Sequence, residues 1–206
     1  MRLELFYDYS SPWTYLAFAR IEDLCHATGT ELIWRPILVG GIFNTVNPSV
    51  YQARELPVPA KARYMLKDLG DWAAVYGVEI HFPPTVFPVN SVKALRGALV
   101  ALEHERISSY SRAVFGSYFG EDLDISRDEV LRPVVERVGL DPSEYFEKIN
   151  RSDYKDRIRA NTYECVRRGG FGSPTMFIGD DMYFGNDRLE LVERALRRQS
   201  RAADLR

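Results

Sequence analysis

The sequence predicts an α/β protein whose small sheet is assembled from the two ends of the chain around a long, all-helical insertion. Three observations carry this reading. The first 36 residues follow a strand, helix, strand pattern. The last 35 or so follow a strand, turn, strand, helix pattern, and the stretch between them keeps helical periodicity throughout.

With 206 residues, 46% of them apolar, the chain can bury a sizeable core. A formal net charge of -2, with acids and bases interspersed, gives no general attraction to nucleic acid or to an anionic membrane surface. No apolar run approaches the roughly 20 residues that span a bilayer. Met1-Arg2-Leu3-Glu4 leads straight into a strand pattern without a signal-type apolar region, so the cytoplasm is the expected location. Cys25 and Cys165 fall on apolar stripes of helices and read as small buried hydrophobes, not as a disulfide pair. His26, His81 and His104 show no ligand spacing, so no metal site is expected.

Arg2 to Asp8 alternates polar and apolar residues as a half-buried strand does. Ser11-Pro12 is an N-cap followed by proline at the first helical position. Trp13, Ala17, Ile21, Leu24 and Cys25 then form the apolar stripe of a helix that Gly29 ends. Glu31 to Arg35 is a second strand, stopped by Pro36 and expected to lie parallel to the first. Gly40 to Pro59, rich in Gly, Pro and Asn, reads as an open connection. Helical stripes follow at Ala62, Met65, Leu69, Trp72 and Tyr76, and at Val92, Leu95, Leu99 and Leu102. Ser126 with Glu129, and Asp141 with Pro142 and Glu144, mark further helix starts; Gly77, Gly120, Gly139 and Gly169 mark stops. A helix over about Asp153 to Arg168 carries Tyr154, Ile158, Thr162, Cys165 and Val166 on one face, which should pack on the sheet. Thr175 to Ile178 and Met182 to Phe184 are strands around a turn at Gly179-Asp180-Asp181. A closing helix capped by Asp187, with Glu190 three residues on, buries Leu189, Val192 and Leu196. Its terminal arginines, Arg197, Arg198 and Arg201, read as a solvated helix end.

The chemistry gathers where the first strand meets the first helix. A reactive group at a helix N-terminus sits among free amides and at the positive end of the helix dipole, which stabilise a thiolate. In a thioredoxin-like arrangement that position is Ser11, and Ser11-Pro12-Trp13-Thr14 stands where a Cys-x-x-Cys motif would be. Sulfur chemistry there must come from a bound thiol, to whose thiolate the Ser11 hydroxyl can donate a hydrogen bond. Taken alone, Ser11 also reads as an ordinary N-cap. Pro174 directly precedes a strand that would lie beside the first helix; if cis, it presents the Ser173 N–H and C=O to an extended cysteinyl backbone. Gly185-Asn186-Asp187-Arg188, at the start of the closing helix, could receive a charged γ-glutamyl group.

Tyr7-Asp8-Tyr9-Ser10-Ser11-Pro12-Trp13-Thr14-Tyr15-Leu16-Ala17, Arg35-Pro36 with Gly40-Gly41-Ile42-Phe43, His81-Phe82-Pro83, Phe171-Gly172-Ser173-Pro174-Thr175 and Phe184-Gly185-Asn186-Asp187-Arg188-Leu189 occur in this order nearly end to end. Together they resemble the DsbA-like family of 2-hydroxychromene-2-carboxylate isomerases and kappa-class glutathione transferases, the closing motifs more the isomerase branch. The resemblance implies a thioredoxin-like fold with a large inserted helical domain, residues 1–38 and 153–206 forming the glutathione-binding domain and 39–152 the insertion. It implies a homodimer and glutathione as cofactor, held by Ser11, Pro12, Trp13, Asn47, Lys61, Ser173, Pro174, Asn186 and Asp187. Ser11 would be catalytic, and Asn47, Arg54 and Phe82 would face the substrate. The implied activity is cis-trans isomerisation of 2-hydroxychromene-2-carboxylate, or a related ring-cleavage product, by reversible thiolate addition. The alternatives are a kappa-like transferase that consumes glutathione and a non-catalytic thiol-peptide binder. The sequence departs from many relatives in having no lysine near Phe43-Asn44.

Overall fold

In the computed structural model, which describes residues 1–204 and side chains as far as residue 200, β1 (Arg2–Tyr7), α1 (Pro12–Ala27) and β2 (Glu31–Pro36) form the expected crossover. β1 and β2 are parallel, Arg2 facing Glu31 and Leu5 facing Trp34. A run of helices follows as α2 (Val39–Thr45), α3 (Ser49–Glu55), α4 (Pro59–Tyr76), α5 (Val92–Glu103), α6 (Ile107–Phe115), α7 (Asp128–Arg137), α8 (Pro142–Lys148) and α9 (Ser152–Arg167), with a π-helical turn over Gly116–Gly120. β3 (Thr175–Ile178) and β4 (Asp181–Phe184) then complete the sheet, and α10 (Leu189–Asp204) closes the fold behind a 3-10 turn over Asn186–Arg188. The strand order is β2-β1-β3-β4, with β3 antiparallel to both neighbours.

Side chains alternate across β1 with the period of two that a strand imposes. Leu3, Leu5 and Tyr7 join the main core with Phe18 and Ile21 of α1 and Val192 and Leu196 of α10. Phe6 turns to the other face and packs with Ile37, Ile42, Cys165 and Phe177. α1 and α10 therefore cover one face of the sheet, and α2 and α9 cover the other. The main core continues without a break into the insertion through Leu95, Leu99, Tyr110, Phe115 and Tyr145. Gly97 lies where Tyr110 and Tyr145 meet, their hydroxyls 2.7 Å apart, and any Cβ there would overlap both rings' oxygens.

Several expectations need correction. Gly40 to Pro59 is not an open connection but holds α2 and α3, because Val39 and Ile42 find a buried surface that local composition does not show. α4 buries only Leu69 and Ala73 of its own residues, and Met65 is exposed, because α4 lies on α1 through one short stretch. Ser126 does not cap α7, which starts at Asp128 after Arg127 without a side-chain cap. Asp187 does not cap the closing helix: it lies inside the 3-10 turn, paired with Arg188, and α10 begins at Leu189. Asp141 does cap α8, accepting from the Glu144 N–H at 2.8 Å. Cys25 and Cys165 are both free and buried. The Arg201 side chain lies outside the described residues.

Candidate active site

β1 ends at Tyr7, and the chain turns through Asp8-Tyr9-Ser10 to deliver Ser11 at the head of α1. Ser11 has an extended backbone (φ -95°, ψ 117°), and its oxygen accepts the Thr14 N–H at 3.2 Å, so it caps the helix as expected. The same hydroxyl donates to the Ser173 carbonyl at 2.9 Å. The Ser173–Pro174 peptide is cis, and Ser173 Oγ accepts the Asp8 N–H at 2.9 Å while sharing a 2.7 Å hydrogen bond with Thr14 Oγ1. Helix head and proline loop are thus joined by a closed set of short polar contacts, with Ser11 and Ser173 both buried.

The Gly185 N–H donates to the Pro174 carbonyl at 3.1 Å and carries the next residue, Asn186, to the same end of the sheet. Asn186 is 3% exposed, yet its Nδ2 has no partner, the single buried side-chain nitrogen or oxygen so left among the described residues. An unpaired buried amide costs on the order of 1–3 kcal/mol, so it needs either a local reason or a ligand acceptor. Tyr76 of α4 donates to the Asn186 carbonyl at 3.3 Å, and the Arg20 guanidinium lies 5.8 Å from the Tyr76 ring centre. Asp187, the next residue of this turn, is exposed and paired with Arg188.

On the other side of Ser173, Asn47 Nδ2 donates to the Phe171 carbonyl at 3.1 Å, tying the α2–α3 junction to the proline loop. Arg54 of α3 lies over two rings, 5.9 Å from Phe43 and 5.5 Å from Phe87, which hold it in place of an acidic partner. Phe82 meets Phe87 edge-on at 5.0 Å and packs against the core. Trp13 is half-buried against Leu16, Leu69 and Ala73. Ser11, Pro12, Ser173, Pro174 and Asn186 are therefore brought together, with Asn47 joined through the loop and Arg54 and Phe82 clustered about Phe87. Lys61 has no described hydrogen-bond or ion-pair contact with this group; it sits in the first turn of α4, about 22 Å of helix before Tyr76.

Sequence reasoning overlooked Asp8. Its carboxylate is 1% exposed and has no cationic partner; Oδ1 accepts from the Ser10 N–H at 2.9 Å and the Ser91 hydroxyl at 2.6 Å, and Oδ2 from the Val39 N–H at 2.9 Å. Burial raises its pKa above the usual carboxylate value, against these hydrogen bonds. Asp8 thereby fixes the loop that carries Ser11 to the starts of α2 and α5. The short spacing of Asp8 to Ser10, typical of an Asx turn, was the one local signal for it. Burial also pushes the thiols of Cys25 and Cys165 up to about 12, so neither supplies a thiolate near neutral pH.

A family model described as a DSBA-like thioredoxin domain matches residues 2–197. The chain is 31% identical to a 2-hydroxychromene-2-carboxylate isomerase of Pseudomonas putida, over 100% of its own length and 99% of that protein. It is 29% identical to a glutathione S-transferase kappa 1 of Rattus norvegicus, covering 92% of this chain and 88% of the relative. Among solved structures, a 2-hydroxychromene-2-carboxylate isomerase superposes over 100% of both chains with a TM-score of 0.85 at 29% identity.

Proposed function

The chain belongs to the DSBA-like thioredoxin-domain family, in the group that holds 2-hydroxychromene-2-carboxylate isomerases and kappa glutathione transferases, and from that premise we propose that it is a glutathione-dependent isomerase. Its substrate in this reading is 2-hydroxychromene-2-carboxylate or a related ring-cleavage product of aromatic catabolism. The observation that carries the proposal is the polar junction of Ser11 with the Ser173–Pro174 peptide, in a protein whose own thiols are buried elsewhere. A homodimer in the cytoplasm is part of the same reading.

The residues fit glutathione. The unpartnered Asn186 amide is a donor awaiting an acceptor, which the γ-glutamyl carboxylate supplies, and the neighbouring Asp187 carboxylate suits an α-ammonium group. When bound, glutathione would supply the nucleophilic thiolate that adds to a conjugated enone and leaves again, allowing rotation about the intervening carbon–carbon bond.

The chain's own part follows from its hydrogen bonds. Ser11 spends its proton on the Ser173 carbonyl, so it must turn that hydroxyl away to donate to sulfur. The move frees the carbonyl for a ligand N–H, one hydrogen bond replacing another, so the exchange costs little. The hydroxyl remains the acceptor for Thr14, which keeps it at the helix head. Pro12 and Trp13 form the wall beside it. Arg54, fixed by Phe43 and Phe87, is assigned the substrate carboxylate, with Asn47 beside it and Phe82 as an apolar surface. Lys61 is assigned a longer-range charge role toward glutathione.

The test is a spectrophotometric assay of the chromene's conversion to trans-o-hydroxybenzylidenepyruvate, with and without glutathione, while free thiol is followed. Turnover that requires glutathione and returns all of it supports the isomerase; turnover without it, or none, refutes the reading. Arg54→Met should raise KM about tenfold or more with glutathione affinity unchanged, since a charged hydrogen bond contributes roughly 1.5–3 kcal/mol. Similarity to the kappa transferases favours a second reading, in which the same site conjugates electrophiles. Loss of free thiol in step with product would select it.

A further inference from the structure

A cavity of about 410 Å³ lies between α2, α5 and α9, away from Ser11. Leu38, Ile158 and Val166 make an apolar floor, and Arg96, Lys155 and Arg159 bring three cations to it; no acidic residue lines it. Arg96 is half-buried, its described hydrogen bond goes to the Ile149 carbonyl at 3.1 Å, and burial lowers its pKa, as expected of a guanidinium without a carboxylate beside it. Lys155 has no described hydrogen-bond or ion-pair partner, and Arg159 pairs with Asp156 on its own helix. Tyr163, 68% exposed, stands at the mouth with its ring free to cover a flat ligand. The volume is within the roughly 300–1,000 Å³ of small-molecule sites.

We propose that this cavity is a second, non-catalytic binding site for an aromatic monocarboxylate. The ring takes the apolar floor beneath Tyr163, and the carboxylate takes the Arg96–Lys155 side, where uncompensated positive charge awaits an anion. A phosphate or sulfate would leave the floor uncovered, and a neutral hydrocarbon would leave the cations unpaired. The site is built on the opposite side of α2 from Arg54. Leu38, Gly41 and Thr45, spaced three and four apart, face the cavity, whereas Phe43 faces Tyr51 and Arg54. The proposal goes beyond the isomerase reading and is read by binding, without turnover.

The test is calorimetric titration of the full-length protein with trans-cinnamate, and with neutral cinnamamide as the matched control. Lys155→Met, an exposed position, is the first variant, and Arg96→Met the second. Each should weaken cinnamate about tenfold or more, cinnamamide should bind at least as weakly, and the component lost in Lys155→Met should survive in Arg54→Met and Ser11→Ala. The proposal is overturned if cinnamate does not bind, if cinnamamide binds equally well, or if binding is lost in Arg54→Met and kept in Lys155→Met, which would put the acid beside Arg54 at the candidate active site.

Discussion

Replacing Ser11 by alanine separates the structural role its hydrogen bonds show from the catalytic role proposed for it, because each has a different readout. In the free protein the hydroxyl caps α1 through the Thr14 N–H and donates to the Ser173 carbonyl. Loss of a cap costs about 1 kcal/mol and loss of one hydrogen bond about 1 kcal/mol more. Ser11→Ala should therefore be destabilised by about 2 kcal/mol, which for a chain of this size lowers Tm by roughly 4–8 °C. Neither effect depends on glutathione. The proposed catalytic role does, and its measure is the ionisation of bound glutathione followed by thiolate absorbance against pH. A hydrogen bond to a charged group contributes about 1.5–3 kcal/mol, so removing it should raise the bound thiol's pKa by about 1–2 units. Ser11→Thr, which keeps a hydroxyl, should recover much of that shift. If Ser11→Ala loses the expected stability while the thiolate titrates as in wild type, Ser11 is a helix cap only and the assignment of catalysis to it is wrong.

Asn186→Leu should hold or raise the Tm of the free protein, since it removes a buried amide donor that has no partner, yet weaken glutathione about tenfold or more by calorimetry; equal affinity would show that Nδ2 does not meet the ligand. Gly97→Ala should cost at least 1–3 kcal/mol in denaturant unfolding, because its Cβ forces apart the Tyr110 and Tyr145 hydroxyls in a packed core. Glu103 offers a pH test: burial pushes its pKa up, but hydrogen bonds from Tyr154, Arg157 and Lys148 outweigh this and hold it at about 2, below the ordinary 4.5. A depressed carboxylate pKa stabilises the fold above its unfolded value and ceases to as pH falls through the folded one. Glu103→Gln should thus be less stable than wild type at pH 7, by on the order of 1–2 kcal/mol after allowance for solvent screening, and the gap should close between pH 4.5 and 2.

The elements legible in the sequence are those whose signals are local. β1 alternates, Ser11-Pro12 is both cap and first turn, and Asp141 with Glu144 brackets the start of α8, so each could be placed from a few neighbouring residues. The Ser11 and Ser173 halves of the candidate site could be placed for the same reason, one being a helix start and the other beside a proline before a strand. α2 was not, and Asp8 explains why. Its N-cap residue is Leu38, which has no side-chain acceptor, and the first amide of the helix, Val39 N–H, is satisfied instead by a carboxylate 31 residues away. A helix capped from a distant part of the chain carries no capping signal in its own sequence, and Gly40-Gly41 then reads as loop. The same buried carboxylate takes the hydroxyl of Ser91 at the start of α5. What local sequence could not reveal is thus the part that holds the Ser11 loop against the helices that follow β2: a buried carboxyl that accepts from Ser10 of its own loop, from Val39 at the start of α2 and from Ser91 at the start of α5.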